Sequence, residues 1–526
     1  MSVVNLALAD CERTKVATQI CVIGGGMAGL LAACRLAQNG HRVIVVESGE
    51  EQLDPAAQAL SEIDDPSGRY VRAMTGRYRG LGGSSSQWGG RTIPLRDEDT
   101  GERSYIGQPA WPFDVAKLQP YREQIERLFG LSSDNFEDIP MPAWQRILAG
   151  GASSLTPRWA KCAAFRKRNV AALLKKELKR KTGIEIWLGA TVCSLETDRE
   201  IGRLQAVVAR SVNGKTLEVR ADQFILAAGT IETTRLLLHL DAQADDQVFA
   251  RCNALGRYFQ DHLERQVADI DRSDPAATNG LFAFRWVHAT RRDLHLELSV
   301  AAQQSDRVAS AYFFVSMDMN GSPLSEMRRV ASAFQSGVVR PSDLKGLASG
   351  LGFAARTGLS YARHRQLYVP ADVGFQLNVR IEQLPDETNR ISLSRIRDRL
   401  GSPMASFSWK PTIRDENCMR SAVNNLDRYW KTTRLQELCP LIWRPGVQNA
   451  RANLVDSAVD CAHPSGSTRM GTNLRESVVG PDLRCHLVPN VAIASASVFP
   501  TAGSSNPTFM ILKLALWLAD SYGVRN

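Results

Sequence analysis

Six consecutive residues, Gly24-Gly25-Gly26-Met27-Ala28-Gly29, and one acid, Glu47, carry the first chemistry legible in this chain. Their Gly-x-Gly-x-x-Gly spacing suits a dinucleotide. Gly24 permits a tight turn, Gly26 lets the backbone approach a pyrophosphate, and Gly29 lets the next helix pack against the preceding strand. The free N–H groups and dipole of that helix favour the phosphate charge. Met27 and Ala28 share this turn and count with the glycines as cofactor-binding. Glu47 stands 21 positions beyond Gly26, where a carboxylate accepts hydrogen bonds from ribose hydroxyls and repels a 2′-phosphate, so NADP is disfavoured. The fingerprint alone does not separate FAD from NAD.

The elements around these residues place them in a βαβ unit. Gln19-Ile20-Cys21-Val22-Ile23 is an apolar strand of the kind buried in a parallel sheet; Leu30 to Gln38 is Leu- and Ala-rich and helical; Asn39-Gly40 stops it; and Arg42 to Glu47 is the next strand. Leu81 to Gly90 is a Gly- and Ser-rich loop whose backbone comes close to something. Asp114 is placed to cap a helix over Val115 to Phe129, and a second helical region covers Val170 to Lys181. Strands are expected at Ile184 to Leu188, Leu204 to Ala209 and Phe224 to Ala228, the last running into a helix.

From about Leu263 to Ala450 the pattern changes to alternating strand-like runs, such as Leu294 to Val300 and Gly374 to Ile381, with many arginines. Ser342 to Arg365 is weakly amphipathic and reads as a surface helix or a lid. The end of the chain returns to a strand, Val491 to Ala494, and a Pro507-initiated helix through Ala519. These features predict an α/β fold: a discontinuous Rossmann-like cofactor domain (1–110, 183–262 and 455–526) and an α+β substrate domain (111–182 and 263–454) on an antiparallel sheet.

The 526 residues are 44% hydrophobic and 23% charged, an ordinary globular composition. The formal charge of +9 is spread along the chain without the dense basic run of a nucleic-acid-binding arm, so nucleic acid is not an expected partner. That charge reads first as solubility and second as attraction for an anionic substrate or surface. The ten cysteines form no metal-ligand spacing and read as reduced thiols, no metal site is expected, and no export signal or apolar run of about 18 residues appears. A cytoplasmic enzyme without a transmembrane segment is the expectation.

Several colinear segments resemble the glucose-methanol-choline (GMC) oxidoreductases, FAD enzymes that oxidise alcohols. Arg79-Gly80-Leu81-Gly82-Gly83-Ser84-Ser85-Ser86-Gln87-Trp88-Gly89-Gly90 is similar to the family's Gly-Gly-Ser loop over the flavin ring. Ile225 to Thr233 is similar to its second signature, and Leu255 to His262 to the segment leaving the cofactor domain. At the C-terminus the matches are His463-Pro464-Ser465-Gly466-Ser467-Thr468-Arg469-Met470-Gly471, then Ala496 to Thr501, then Asn506-Pro507-Thr508. The substrate region matches only loosely, chiefly in Glu382-Gln383-Leu384-Pro385 and Arg390-Ile391-Ser392-Leu393.

The resemblance implies FAD as cofactor and His463 with Asn506 as the catalytic pair. A neutral imidazole suits removal of the hydroxyl proton while hydride leaves the carbinol carbon, and an Asn amide suits holding the substrate oxygen. It further implies cofactor contacts from Gly83, Ser84, Gln87, Trp88, Val192, Ala228, Ala496, Asn506 and Thr508. Trp88 reads equally as a wall beside the flavin or as core, and Asn506 also reads as a helix cap. His262 and His486 are assigned structural roles.

Where some relatives attach the flavin covalently through a His before this Trp, the chain has Gln87, so noncovalent FAD is expected. Ser495 and Gly480 replace frequent Asp residues, leaving the contact beside Ser495 to the backbone. The expected partners are a small-molecule alcohol, sugar-like or a natural product, and oxygen or another electron acceptor. Two further readings stay open: a non-redox FAD lyase on the same scaffold, and a catalytically silent flavin-bound scaffold.

Overall fold

The computed structural model describes residues 2–137, 147–148, 154–180, 183–198, 202–319, 322–336 and 351–524. Two sheets organise it. The first runs in the order Ser2–Asn5, Ile184–Leu188, Val43–Val46, Arg13–Ile23, Thr216–Leu226, Arg203–Arg210 and Thr191–Asp198, with Val491–Ile493 also on Thr216–Leu226. The first five strands and Val491–Ile493 pair in parallel, while the last two close the sheet antiparallel.

The βαβ unit sits at its centre. Ile20 to Ile23 pairs in register with Val43 to Val46, and all eight side chains are buried, as a strand covered on both faces requires. The crossover helix spans Met27–Gln38, starting earlier than the Leu pattern suggests because Gly26 is its N-cap. The C-terminal helix Thr508–Asp520 packs against it, so the two ends of the chain share one layer. Leu512, Leu514, Leu516 and Leu518 are all buried in that helix, each worth roughly 1.5–3 kcal/mol relative to exposure.

The second sheet is antiparallel, in the order Leu441–Trp443, Leu263–Ile270, Phe375–Ile381, Ala311–Met317, Thr290–Leu298, Leu155–Cys162 and Arg91–Thr92. Arg285–Val287 adds to Thr290–Leu298, and Val459–Asp460 to Leu263–Ile270. The hydropathy pattern does not mark Leu155–Cys162 as a strand, because it carries the buried charges of Arg158 and Lys161. Acids on neighbouring elements neutralise them: Arg158 meets Glu297 at 3.1 Å and Lys161 meets Glu126 at 2.6 Å. The long helix Ile413–Thr432 packs on this sheet.

Two local expectations change. Val115 to Phe129 divides into a 3₁₀ segment, Val115–Tyr121, and an α-helix, Arg122–Phe129, since Pro120 has no N–H to continue the ladder. Asp114 does cap it, accepting from the Ala116 N–H at 3.1 Å. Within the amphipathic stretch Ser342 to Arg365, a helix covers Leu351–His364, and 342–350 lies outside the described residues. Among the described residues no helix is long and apolar enough to cross a membrane, and none of the ten cysteines is in a disulfide.

Candidate active site

A cavity of about 990 Å³ opens between the parallel sheet and the antiparallel one. At one end lie Gly24, Gly26, Met27, Ala28 and Glu47; the Gly-Ser loop contributes Gly83, Ser84, Gln87 and Trp88; Val192, Ala228, Ala496 and Thr508 line the side; and His463 and Asn506 also face this space. Gly29 does not line it. A Cβ there would sit 2.0 Å from the Gly24 carbonyl oxygen, so this glycine serves the packing of helix on strand.

The glycine turn is built by contact. Gly24 has φ +107°, and a Cβ on it would meet the Ala227 carbonyl at 2.6 Å, so only glycine fits. Gly83 brings the second loop against the turn, where its own Cβ would lie 2.9 Å from Gly26 Cα. In front of Gly26 itself there is nothing within 4 Å. The Glu47 carboxylate holds three loops together: Oε2 accepts from the Gly25 N–H at 2.6 Å, and Oε1 from Gly49 at 2.9 Å and Gly80 at 3.0 Å. Its assigned ribose contact therefore shares an acid already committed to the backbone.

Trp88 serves wall and core together. Its ring lines the cavity and packs edge-on against Phe129, while Nε1 donates to the Arg168 carbonyl at 3.0 Å. Ser495 also lines the cavity, and its hydroxyl accepts from the Ser497 N–H at 3.1 Å.

At the other catalytic candidates the geometry adds a residue. His463 Nδ1 lies 2.9 Å from Nδ1 of His262, whose Nε2 lies 2.7 Å from the Gly503 carbonyl; Asn506 Nδ2 lies 3.2 Å from His463 Nε2. The protonation order follows from these contacts. A carbonyl only accepts, so His262 Nε2 carries the hydrogen. Burial, with Arg380, holds the His262 pKa down to about 4, so the ring is neutral and its Nδ1 is an acceptor. His463 must then donate from Nδ1, and its Nε2 keeps a lone pair, which accepts from Asn506. Burial first, then Arg380 and His262, hold His463 well below the ordinary His range, so this lone pair is not lost to a proton near neutrality.

Neighbouring groups fix both rings. Asp261 accepts from the backbone N–H of His262 at 2.7 Å, of Cys461 at 3.2 Å and of His463 at 3.0 Å, and from the Tyr70 hydroxyl at 2.7 Å. Gly503 is pinned through its N–H to Glu382 at 3.1 Å, and Glu382 is bidentate to Arg103 at 2.6 and 2.8 Å. Asn506 does not act as the cap of Thr508–Asp520; Pro507 occupies that position, and Asn506 Oδ1 is buried without a hydrogen bond. His486 lies elsewhere, bonded to Ser477 at 3.1 Å.

Sequence reading assigned no chemistry to His262. The signal was local, since Asp261-His262 belongs to a matched segment, but its 201-residue separation from His463 is closed only by the fold.

The sequence profile described as GMC oxidoreductase matches residues 385–515, and that of an FAD binding domain matches residues 19–64. Residues 385–515 thus form a GMC oxidoreductase domain, and residues 19–64 belong to an FAD-binding one. It is similar to 6'''-hydroxyparomomycin C oxidase of Streptomyces lividus, 24% identical across 94% of this chain and 90% of that protein. It is also similar to 2-methyl-1,2-propanediol dehydrogenase of Mycolicibacterium austroafricanum, 23% identical across 96% and 94%. Among solved structures, pyridoxine 4-oxidase from Mesorbium loti superposes with a TM-score of 0.63 over 96% of this chain and 99% of that one, at 18% identity.

The residues present fit FAD. The open face of Gly26, the Met27–Gln38 helix N-terminus behind it and the unpartnered Asn506 Oδ1 all belong to, or border, one continuous cavity.

Proposed function

We propose that this protein oxidises an alcohol CH–OH group to a carbonyl, with His463 Nε2 as the base and Asn506 as the group that orients the substrate oxygen. The observation that carries this reading is the hydrogen-bond order Gly503–His262–His463–Asn506, which makes His463 Nε2 the acceptor at the cavity wall, held by the Asn506 amide until a substrate hydroxyl takes that place. Bound FAD supplies the acceptor for the hydride that leaves the carbinol carbon. The hydroxyl proton passes to His463 Nε2 as the C–O bond becomes C=O, so the alcohol loses a hydride and a proton. His262 accepts the Nδ1–H bond throughout and keeps the ring facing its substrate. The Asn506 amide, already oriented by His463, bonds the alcohol oxygen.

FAD is held without a covalent link: Gln87, exposed at the cavity, has no nucleophilic ring nitrogen for such a bond. Acid precipitation should release all of the flavin into the supernatant. Ten cysteines outside any disulfide support a reducing, cytoplasmic setting. The relatives, an oxidase of 6'''-hydroxyparomomycin C and a dehydrogenase of 2-methyl-1,2-propanediol, support an alcohol and do not agree on an acceptor. The test is anaerobic mixing of the holoenzyme with a panel of alcohols and sugars, followed by oxygen or quinone. A substrate must bleach the flavin absorbance and the acceptor must restore it. Substrate consumed without bleaching would assign a lyase instead.

A further inference from the structure

The part of the cavity wall contributed by the antiparallel sheet and the segments beside it carries an unusual charge. Arg91, Arg168, Arg291, Arg328 and Arg380 all line it, whereas the only described acids among the lining residues are Glu47 and Glu232. Both of those acids are engaged near the cofactor turn, Glu47 with backbone amides and Glu232 with Arg77 at 3.2 Å and Arg79 at 3.1 Å. On the substrate wall Arg91 is paired with Asp293 and Arg380 with Glu264. Arg168, Arg291 and Arg328 have no carboxylate partner among the described residues. The Arg168 side chain bonds only neutral groups, the Ala163 carbonyl at 2.9 Å and Gln335 at 3.3 Å, and Arg291 Nε is buried with no hydrogen bond.

Their setting is that of guanidiniums waiting for an oxyanion. Arg168 lies 3.8 Å over the Phe165 ring and Arg291 4.4 Å over Phe284, a stacking that satisfies the flat face and leaves edge N–H groups for a planar acceptor. Burial, with the repulsion of Arg291, Arg328 and Arg91, lowers the Arg168 pKa to about 9. Cations held together without a counter-ion cost stability, and a bound anion relieves that cost. The cluster also reaches the chemistry: Arg91 and Arg380 act on His463 and, with it, line the same cavity.

We propose that the substrate is an anionic alcohol whose carboxylate or other planar oxyanion is held by Arg168 and Arg291, with Arg328 at the exposed mouth, while its CH–OH group faces His463. This deepens the alcohol-oxidation reading and rests on it for the chemistry, though not for the anion site. It sets this chain apart from any cationic substrate, which the same wall repels. Phe165, Phe284 and Phe314 provide the apolar surface between the two ends.

The site is tested on the holoenzyme with unreactive ligands that lack a hydroxyl: 4-methylbenzoate, its neutral isostere 4-methylbenzamide, and 4-methylbenzylammonium, titrated by perturbation of the flavin spectrum. The carboxylate should bind about tenfold or more tightly than the amide, and more weakly as salt is added, with no binding of the cation. R291Q and R328Q should keep their flavin content and lower the carboxylate preference, R291Q most. Equal binding of carboxylate and amide, binding of neither, or a preference that survives both substitutions overturns the proposal. A parallel anaerobic measurement with 4-(hydroxymethyl)benzoate and benzyl alcohol separates the two readings. If the anion preference holds and neither alcohol nor any other bleaches the flavin, the alcohol reading fails and the anion site stands.

Discussion

His262 and His463 meet through their Nδ1 atoms at 2.9 Å, and only one hydrogen fits between two such nitrogens. Because the Gly503 carbonyl claims the other hydrogen of His262, that shared hydrogen belongs to His463. The Gly503 main-chain carbonyl thus decides that Nε2 is the acceptor nitrogen of His463, the one that meets Asn506 at the cavity.

His463→Ala should retain FAD and lose flavin reduction by roughly 10²–10⁴-fold, the ordinary worth of a positioned base. Stopped-flow bleaching with a good substrate measures it, and near-normal reduction would sink the mechanism. Asn506→Ala should lose less, about tenfold, because it removes a hydrogen bond and leaves the base.

His262 is a positioning residue, and its substitutions should separate by whether they restore an acceptor. His262→Leu removes the partner of the His463 Nδ1–H and should lower kcat about 10–100-fold with little change in KM, as loss of an orienting partner does elsewhere. His262→Gln offers a side-chain oxygen to His463 and an N–H to Gly503, so it should recover much of the loss. Equal damage from both would mean that His262 acts only by filling space.

The same pair gives a signed pH dependence. His262 takes a proton near 6.5 in the unfolded chain but only near pH 4 when folded. Between these values the unfolded state binds more protons, so this contribution is present in full above pH 6.5 and is lost as the pH falls towards 4, about 3 kcal/mol in all. Asp261, which burial and Asp460 push up to about 7, contributes the opposite slope, losing stability as the pH rises from near 4 to 7. Comparing wild type with His262→Gln isolates the histidine: the variant should show a shallower loss of denaturation midpoint between pH 6.5 and 4.5. Identical slopes would mean that His262 is not held neutral.

The legible part of this molecule is the part whose constraint is local. The turn at Gly24, Gly26 and Gly29 needs particular backbone freedom over six residues, and its strand–helix–strand setting is written in apolar runs such as Ile20 to Ile23. The C-terminal motifs placed His463 and Asn506 in one cavity for the same reason. What did not show was pairing across distance. Arg158 and Lys161 disguise a buried strand because their neutralising acids lie on other elements, and His262 looks inert until Gly503 and His463 close around it. The arginine wall was visible only as a diffuse charge of +9.

Glu47 gives a last test, because its role is more structural than a ribose contact alone. Its carboxylate accepts the N–H groups of Gly25, Gly49 and Gly80, drawing the glycine turn, the loop after the second strand and the start of the Gly-Ser loop to one point. It is 6% exposed, and burial raises its pKa while these donors pull it back. Glu47→Ala leaves buried N–H groups unpaired at about 1–3 kcal/mol each, so the apoprotein itself should unfold at lower temperature, before any cofactor is considered. Glu47→Gln should help only in part, since its amide oxygen serves one side of the junction and its N–H₂ faces donors on the other. Melting curves of flavin-free protein decide the matter. A fall in apoprotein Tm in the order wild type, Glu47→Gln, Glu47→Ala is expected, whereas variants that melt like wild type and differ only in FAD affinity would return Glu47 to a purely ligand-facing role.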